Sequence, residues 1–596
     1  MNARWRIRPH DESRIRELSS RSGLSPLVAQ VLLNRGVADP AHAVAFLDAR
    51  MGSLHDPELM PGAVQAADRI VEAIRSGRKI VIYGDYDVDG VCGTSILWTC
   101  VKLAGARDAD YYIPHRIEEG YGVSSDALKR LAAEYPGALI VTVDCGISAV
   151  READLARELG VELVVTDHHT IGAELPRAAV LVHPRLPGSS YPCGELCGAG
   201  VAFKVAWQVC KTFGDGKRAS PHLRDFLVRS MGLVALATIA DVVPLADENR
   251  VMVRHGLAGI AAEPTIGLRA LMEVSGANAR RKLNTGTVAF GLAPRINAAG
   301  RLQGAMMAVE MLTTDDEIRA RQLASELDRC NARRQEIERK IHEEARAMID
   351  AAGPIADRRS IVLAGAGWHP GVIGIVAGRL AETYHRPTIV LARGDELAQG
   401  SARSIPGFDL YAAIKDCAAP LLAFGGHAAA AGLKLAAVDV EHFAGLFEER
   451  CRSALAPEHL ERVLHIDAEV LLGSLSLRVI EELDRLEPYG MGNAKPLLAA
   501  SRLQIVGQPR VVGEHKNHLQ LRIRQDSVVM KAIGWNMAER GQALQPGCHC
   551  SLAFHPSINE WNNHREVQLE IRDFAIEGQS APAASQPAMA SATPSA

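Results

Sequence analysis

Four short motifs in the first half of the chain carry residue types that hold divalent cations. They are Gly84-Asp85-Tyr86-Asp87-Val88-Asp89-Gly90, Asp144-Cys145-Gly146, Asp167-His168-His169 and Asp241. Each follows a short apolar run: KIVIY, LIVTV, ELVVT and LVALATIA. Read as strands of a parallel sheet, these runs bring their carboxyl ends to one crevice, where ligands bind. Carboxylates converging there repel one another unless cations neutralise them. Oxygen donors with one or two imidazoles suit Mn²⁺ or Mg²⁺ better than a thiolate metal. Two such ions about 3.5–4 Å apart can drive in-line attack on a phosphodiester.

Each motif alone is weak. An Asp after a strand is often only a helix N-cap. Asp-x-Asp-x-Asp-Gly is also the start of a calcium loop, but Ile96 stands where that loop needs Glu, and a strand precedes it. Cys193, Cys197, Cys548, His549 and Cys550 fit no standard zinc spacing and read as ordinary thiols. The weight lies in four sites sharing one structural context.

The elements needed to position these groups are legible. Short helices with Asp and Pro breaks occupy residues 1–49. KIVIY (79–83), YYI (111–113), LIVTV (139–143), ELVVT (162–166) and AVLV (179–182) are apolar and mostly β-branched, as strands of a buried parallel sheet are. They belong to a first α/β domain over 50–312. Residues 313–352 lack Gly and Pro, are highly charged, and predict one helix about 50–60 Å long that bridges two domains. Gly353-Pro354 stops it. A second α/β domain follows over 353–457, with strands at 360–365 and 387–392. From 458 to 577 five short strands, LQIVG, HLQLRIR, VVMKAIGW, CSLAF and VQLEIRDFAI, predict a small OB-type barrel. The Gln/Ser/Ala/Pro-rich stretch 578–596 is expected to be disordered.

The composition is that of a globular protein: 47% hydrophobic and 23% charged over 596 residues. A net charge of −4 excludes a lysine-coated polyanion binder, but not a nuclease with local basic groups and an acidic metal site. No apolar run reaches membrane-spanning length and the start has no apolar signal region, so no membrane association is expected. Eleven scattered cysteines with no such signal predict a reducing, cytoplasmic setting.

The order GDYDVDG, VDCGIS, TDHH, IADVVPL resembles the DHH phosphoesterase superfamily. PHRIEEGYG, LCGAGVAFK, APRINAAGRL, GWHPGVIGIVAGRL, GSARSIPGFDL and FGGHAAAAG are similar to segments of its branch of single-strand-specific 5′→3′ DNA exonucleases. The resemblance covers most of residues 50–575. It implies a DHH domain with a parallel sheet and a DHHA1 α/β domain, joined by a long helix and followed by an OB-fold barrel. It implies metal-dependent release of 5′-mononucleotides, with two divalent ions, Mn²⁺ or Mg²⁺, as cofactors. Asp87, Asp89, Asp144, His168 and Asp241 are the implied metal ligands, with Asp144 bridging. Asp85 and His169 are the implied catalytic groups, Asp85 as a further acid and His169 as the group that orients the site or polarises the phosphate. Tyr83 stands where the superfamily often has a histidine, so Asp85 or water would complete one metal's ligands. The implied partners are single-stranded DNA with a 5′ end, a single-stranded-DNA-binding protein and a helicase, with the chain itself a monomer.

The substrate side follows partly from the residues. Gly426 and His427 lie in GGHAAAAG, which brings backbone N–H groups near a phosphate or merely permits close packing. By resemblance, Ser401, Arg403 and His427 hold the phosphates beside the scissile bond. Arg116, Arg295 and Arg301 lie in Gly-flanked segments and form a candidate pocket for a terminal phosphate, bound by bidentate guanidinium contacts. Trp368 fits either a base-stacking role or packing at a helix entry. In the barrel, Arg522, Arg524, Lys531, Trp535, Trp561 and Arg565 interleave cations and rings as a single strand needs, or the two tryptophans belong to the core. The competing function is a DHH phosphodiesterase acting on short oligonucleotides or cyclic dinucleotides, which would need neither barrel nor bridging helix.

Overall fold

The computed structural model describes residues 3–577, apart from Ile117, residues 278–282 and residues 562–563. The expected disordered stretch 578–596 lies outside the described residues. The chain forms two compact units, one of residues 50–456 and one that joins residues 1–49 to residues from 457 onward.

The first unit begins with a five-stranded, all-parallel sheet in the order Ala109–Tyr112, Ile80–Tyr83, Leu139–Val143, Glu162–Thr166, Val180–Val182. The two strands that carry the first acidic motifs lie side by side at its centre and are buried throughout, as their unbroken apolar runs require. LVALATIA is not a strand. It forms the end of a 20-residue helix, Pro221–Ala240, buried on several faces. A short apolar run reads alike as buried strand or buried helix, and only length separates them.

The bridging helix runs Glu317–Ala351 over 35 residues, capped by Asp316. Ala320, Leu323, Ala324 and Leu327 on its first half belong to the core of the parallel-sheet domain. Ile341, Ala345 and Ile349 on its second half belong to the next core. The 323/327 and 341/345/349 spacings keep each set on one face. Each fully buried Leu or Ile there contributes about 1.5–3 kcal/mol. The second core backs a mixed sheet in the order Leu421–Gly426, Ala430–Ala436, Leu397–Arg403, Thr388–Arg393, Ile361–Ala366.

In the other unit seven strands form a sheet from Ala468–Glu469 to Arg510–Val512. Pairing of Leu498–Ile505 with His518–Gln525 closes it into a barrel. The N-terminal segment is more than short helices. Its strand Arg4–Ile7 pairs in parallel with Val463–Ile466, and Ile15, Leu18, Val28 and Leu32 share one core with Leu472, Leu503 and Phe554. A four-residue strand whose partner lies some 460 positions away leaves no local pattern to read. No helix among the described residues is long and apolar enough to cross a membrane.

Candidate active site

Asp85 and Asp87 leave the end of Ile80–Tyr83, and Asp87 caps the helix Val88–Leu103, accepting from the N–H groups of Asp89 (2.9 Å) and Gly90 (3.2 Å). N-cap and cluster member are therefore one residue. Asp89, in the first helical turn, is 1% exposed and accepts from the backbone N–H groups of Gly198 (2.6 Å) and Ala199 (2.7 Å). These groups open the helix Gly198–Thr212, whose positive end favours a carboxylate. Asp144 ends Leu139–Val143 with φ 63°, a left-handed conformation that a non-glycine residue adopts at a cost of about 1–3 kcal/mol. Asp241 comes from the C-terminal end of the Pro221–Ala240 helix rather than from a strand.

These side chains converge. Ligand atoms of Asp85, Asp87 and Asp144 lie within 4.8 Å of one another, as do those of Asp89, His168 and Asp241 and those of Asp144, His168 and His169. His168 Nε2 lies 3.1 Å from Asp144 Oδ1, 3.6 Å from Asp89 Oδ2 and 3.7 Å from Asp241 Oδ2. Yet His168 Nε2, Asp144 Oδ1 and Asp85 Oδ1 are buried and make no hydrogen bond. Buried polar atoms left unpartnered are costly, and donor atoms gathered this closely are what a cation needs. The residues present therefore fit two divalent cations, with Asp144 near both.

The charge pattern agrees. Burial, then the charge of Asp87, drives Asp85 well above the usual carboxylate range. Asp144 is driven up by burial and by Asp89, Asp87 and Asp85. Asp241 reaches about 8 through burial and Asp89. Burial lowers His168, leaving a neutral imidazole suited to ligation. Asp167 and His169 form a separate pair. Burial disfavours both charges, but the 2.8 Å contact of His169 Nδ1 with Asp167 Oδ1 prevails, holding Asp167 near 2 and raising His169 to about 9.

Across the acidic loop lies a group of guanidiniums. Arg116 sits 4.7 Å over the ring of Tyr86. The helix Ala293–Leu302 packs directly on this loop: Asn297 Oδ1 accepts from Val88 N at 3.1 Å, and a Cβ on Gly300 would lie 2.3 Å from Tyr86 O. Arg301 follows, and its Nη1 donates to Gly371 O at 2.9 Å. Burial, then the charges of Arg116, Arg334 and Arg403, lowers Arg301 to about 10. Arg403 is lowered by burial and by Arg116, and its Nη1 donates to Ser401 Oγ at 3.1 Å. Among the described residues Arg116, Arg301 and Arg403 form no ion pair. Asp87 acts on Arg301, and Arg116 on Asp85, only beyond ion-pair distance, and mutually repelling, half-buried guanidiniums without an ion-pair partner suit an anion. Arg301, Arg334, Asn297 and Gln335 also line a cavity of about 260 Å³.

Gly426 and His427 form the turn next to this group. Gly426 has φ 143°, and a Cβ there would meet Ala430 O at 2.4 Å, so glycine is required. His427 is exposed, and the strand leaving the turn pairs Ala430 with Arg403 and Gly432 with Ser401.

Two expected residues lie elsewhere. Arg295, six positions before Arg301 on the same helix, faces away: its Nε is 2.8 Å from Asp328 Oδ1 and its Nη1 donates to Gly291 O at 2.5 Å. Six residues turn a helix by about 600°, which separates the two side chains by about 120°. Trp368 is 6% exposed in the second-domain core and donates to Glu344 at 2.6 Å, so it packs rather than stacks on a base. Tyr83 is also interior and donates to Gly122 O at 3.1 Å. The structure adds Asp167 and Tyr121, whose hydroxyl lies 3.1 Å from the His169 ring and 3.3 Å from Asp144 O. Both stand inside motifs visible in the sequence, but their contacts depend on the fold.

Comparison with known proteins follows the same division. Residues 79–237 match the DHH family N-terminal domain, 357–453 the DHHA1 domain and 466–573 the RecJ OB domain. The single-stranded-DNA-specific exonuclease RecJ of Bacillus subtilis is 39% identical over 575 residues, covering 96% of this chain and 71% of that protein. Its counterpart in Dickeya dadantii is 36% identical, covering 92% and 96%. The crystal structure of RecJ in complex with Mn²⁺ from Thermus thermophilus superposes with a TM-score of 0.80 at 33% identity, over 96% of this chain and 79% of that one. The Mg²⁺ complex of the same protein gives 0.75 at 31%, over 96% and 78%. Three domains in the same order, with identity above one third across nine-tenths of its length, place this chain in the RecJ family.

Proposed function

We propose that this chain degrades single-stranded DNA from its 5′ end to 5′-mononucleotides, using two divalent cations. The observation that carries this reading is the convergence of Asp85, Asp87 and Asp144 beside Asp89, His168 and Asp241, with unpartnered buried donor atoms at its centre. Asp87, Asp89, Asp144, His168 and Asp241 would hold Mn²⁺ or Mg²⁺, and Asp85 would add a ligand on the side of Asp87 and Asp144. When bound, the ions supply Lewis acidity to the attacking water and the phosphodiester. His169, kept protonated by Asp167, donates a hydrogen bond to the phosphate under attack. Ser401, Arg403 and His427 hold that phosphate and its neighbour. Arg116 and Arg301 close behind a terminal 5′-phosphate, which sets direction and excludes internal strand.

Length preference is assigned to the barrel. Arg522 and Arg524 alternate outward on His518–Gln525, and Trp535 is 54% exposed with its ring 4.8 Å from that of His518. Cations that follow a backbone and rings that stack on bases suit a single strand of any sequence. A single-stranded-DNA-binding protein and a helicase, which present such strands, are the partners this activity calls for, and the cytoplasm is its place.

The test compares a 5′-phosphorylated single strand, the same sequence as a duplex and a dinucleotide, each with Mn²⁺. The reading expects kcat/KM to be highest on the long strand and the duplex to resist. A dinucleotide cleaved as efficiently as the long strand would favour the small-substrate phosphodiesterase instead.

A further inference from the structure

His168 and His169 are consecutive, yet both rings lie on the cluster side, 4.5 Å apart between centroids. Extended backbone would send them to opposite faces, so this turn has to be held out of strand geometry. From one side it is held by Asp167, whose Oδ1 accepts from the N–H groups of His168 (2.7 Å) and His169 (3.1 Å). From the other side it is held by His183 and Arg185, just past the edge strand Val180–Val182. His183 Nε2 lies 2.8 Å from His169 O, and Arg185 Nη2 donates to His168 O at 2.7 Å. His183 Nδ1 accepts from Arg185 N at 3.0 Å, so its Nε2 carries the proton that the His169 carbonyl accepts. Arg185 in turn reaches Glu195 Oε1 at 3.2 Å, on the segment leading into the helix that caps Asp89.

We infer that His183 and Arg185 are positioning residues that set the affinity of one of the two cation sites by fixing both carbonyls of the His168-His169 turn. The inference rests on the reading of His168 as a ligand. His168 belongs to the Asp89–His168–Asp241 and Asp144–His168–His169 groups and not to the Asp85–Asp87–Asp144 group. A freed His168 carbonyl lets the peptide rotate and moves Nε2 away from Asp89, Asp144 and Asp241, while Asp85, Asp87 and Asp144 keep their own places in the other group. Groups that hold a ligand in place typically affect metal affinity by about 10–100-fold.

The test uses the full chain, stripped of metal and titrated with Mn²⁺, with free Mn²⁺ followed by electron paramagnetic resonance. Arg185 is half-exposed, so its replacement does not open the core. Arg185→Ala is expected to weaken one of two binding classes about tenfold and to leave the other within about twofold. Arg185→Lys, which can still donate to the carbonyl, is expected to stay within about threefold of the parent. His168→Ala should weaken the same class at least as much. Equal weakening of both classes, or an unchanged isotherm in Arg185→Ala, overturns the inference. So does a loss confined to single-strand affinity measured in EDTA, which would make Arg185 a strand contact. An unchanged isotherm in His168→Ala overturns the ligand reading itself, whereas a response to His168→Ala alone overturns only the positioning role.

Discussion

A Cβ added to Gly198 would lie 2.6 Å from Asp144 Cβ and 2.7 Å from its Oδ1. The helix that caps Asp89 thus also forms the wall against which Asp144 rests, so one glycine sets the spacing between a carboxylate in a first helical turn and one at a strand end. Gly198→Ala is expected to displace Asp144 and lower Mn²⁺ affinity by about tenfold or more, with kcat/KM falling about 100-fold. Gly200→Ala in the same helix meets Leu196 at only 3.4 Å, an ordinary contact, and should keep near-normal values. Manganese titration of the two variants checks this.

Arg301 and Arg295 separate recognition from support. Arg301→Ala removes a half-buried guanidinium that makes no ion pair, and should cost about 10–100-fold on a 5′-phosphorylated strand and much less on a 5′-hydroxyl strand. Arg295→Ala breaks the contact with Asp328 and should lower thermal stability while leaving the ratio between the two substrates unchanged. Matched kcat/KM values on both strands decide the matter.

Asp144→Ala should abolish turnover yet leave the metal-free protein folded. Its carboxylate is buried among Asp85, Asp87 and Asp89, so removing it relieves repulsion and should raise the metal-free melting temperature by about 2–4 °C. Mn²⁺ should raise the melting temperature of the parent protein and have little effect on the variant. Thermal unfolding with and without Mn²⁺ measures both.

The buried parallel strands were legible because KIVIY, LIVTV and ELVVT are short runs dominated by apolar and β-branched residues, and the acids at their ends announce a crevice. Asp241 was legible as an acid but not as a helix-end residue, since LVALATIA carries no period that separates strand from helix. Arg295 and Arg301 share one motif, and only the helical rotation between them tells which faces the acidic loop. Trp368 could not be assigned from its neighbours, because Glu344, which satisfies its indole N–H, lies 24 positions earlier on the bridging helix. The strand Arg4–Ile7 and the hold of His183 and Arg185 on the His168-His169 turn exist only through long-range contact.

His555 gives the barrel a defined pH response. Burial lowers its pKa to about 4, against about 6.5 when unfolded, while its Nδ1 lies 2.7 Å from Pro496 O. The unfolded chain therefore binds the proton first, and stability present above pH 6.5 is lost as pH falls toward 4, by on the order of 2–3 kcal/mol. Hydrogen exchange in Leu498–Ile505 and His549–Trp561 should show protection falling between pH 7 and pH 5. His555→Asn should flatten that fall, and an unchanged slope would assign it to other groups.

Two-cation cleavage from the 5′ end is decided by the polarity of digestion on a labelled strand. A 5′-phosphorylated single strand carrying a 3′ label, and its twin carrying a 5′ label, are incubated with Mn²⁺, Mg²⁺ or EDTA. The 5′ label should appear at once as mononucleotide while the 3′-labelled strand shortens progressively, with no reaction in EDTA or with Asp144→Ala. Early release of the 3′ label, or undiminished cleavage in EDTA, would contradict it.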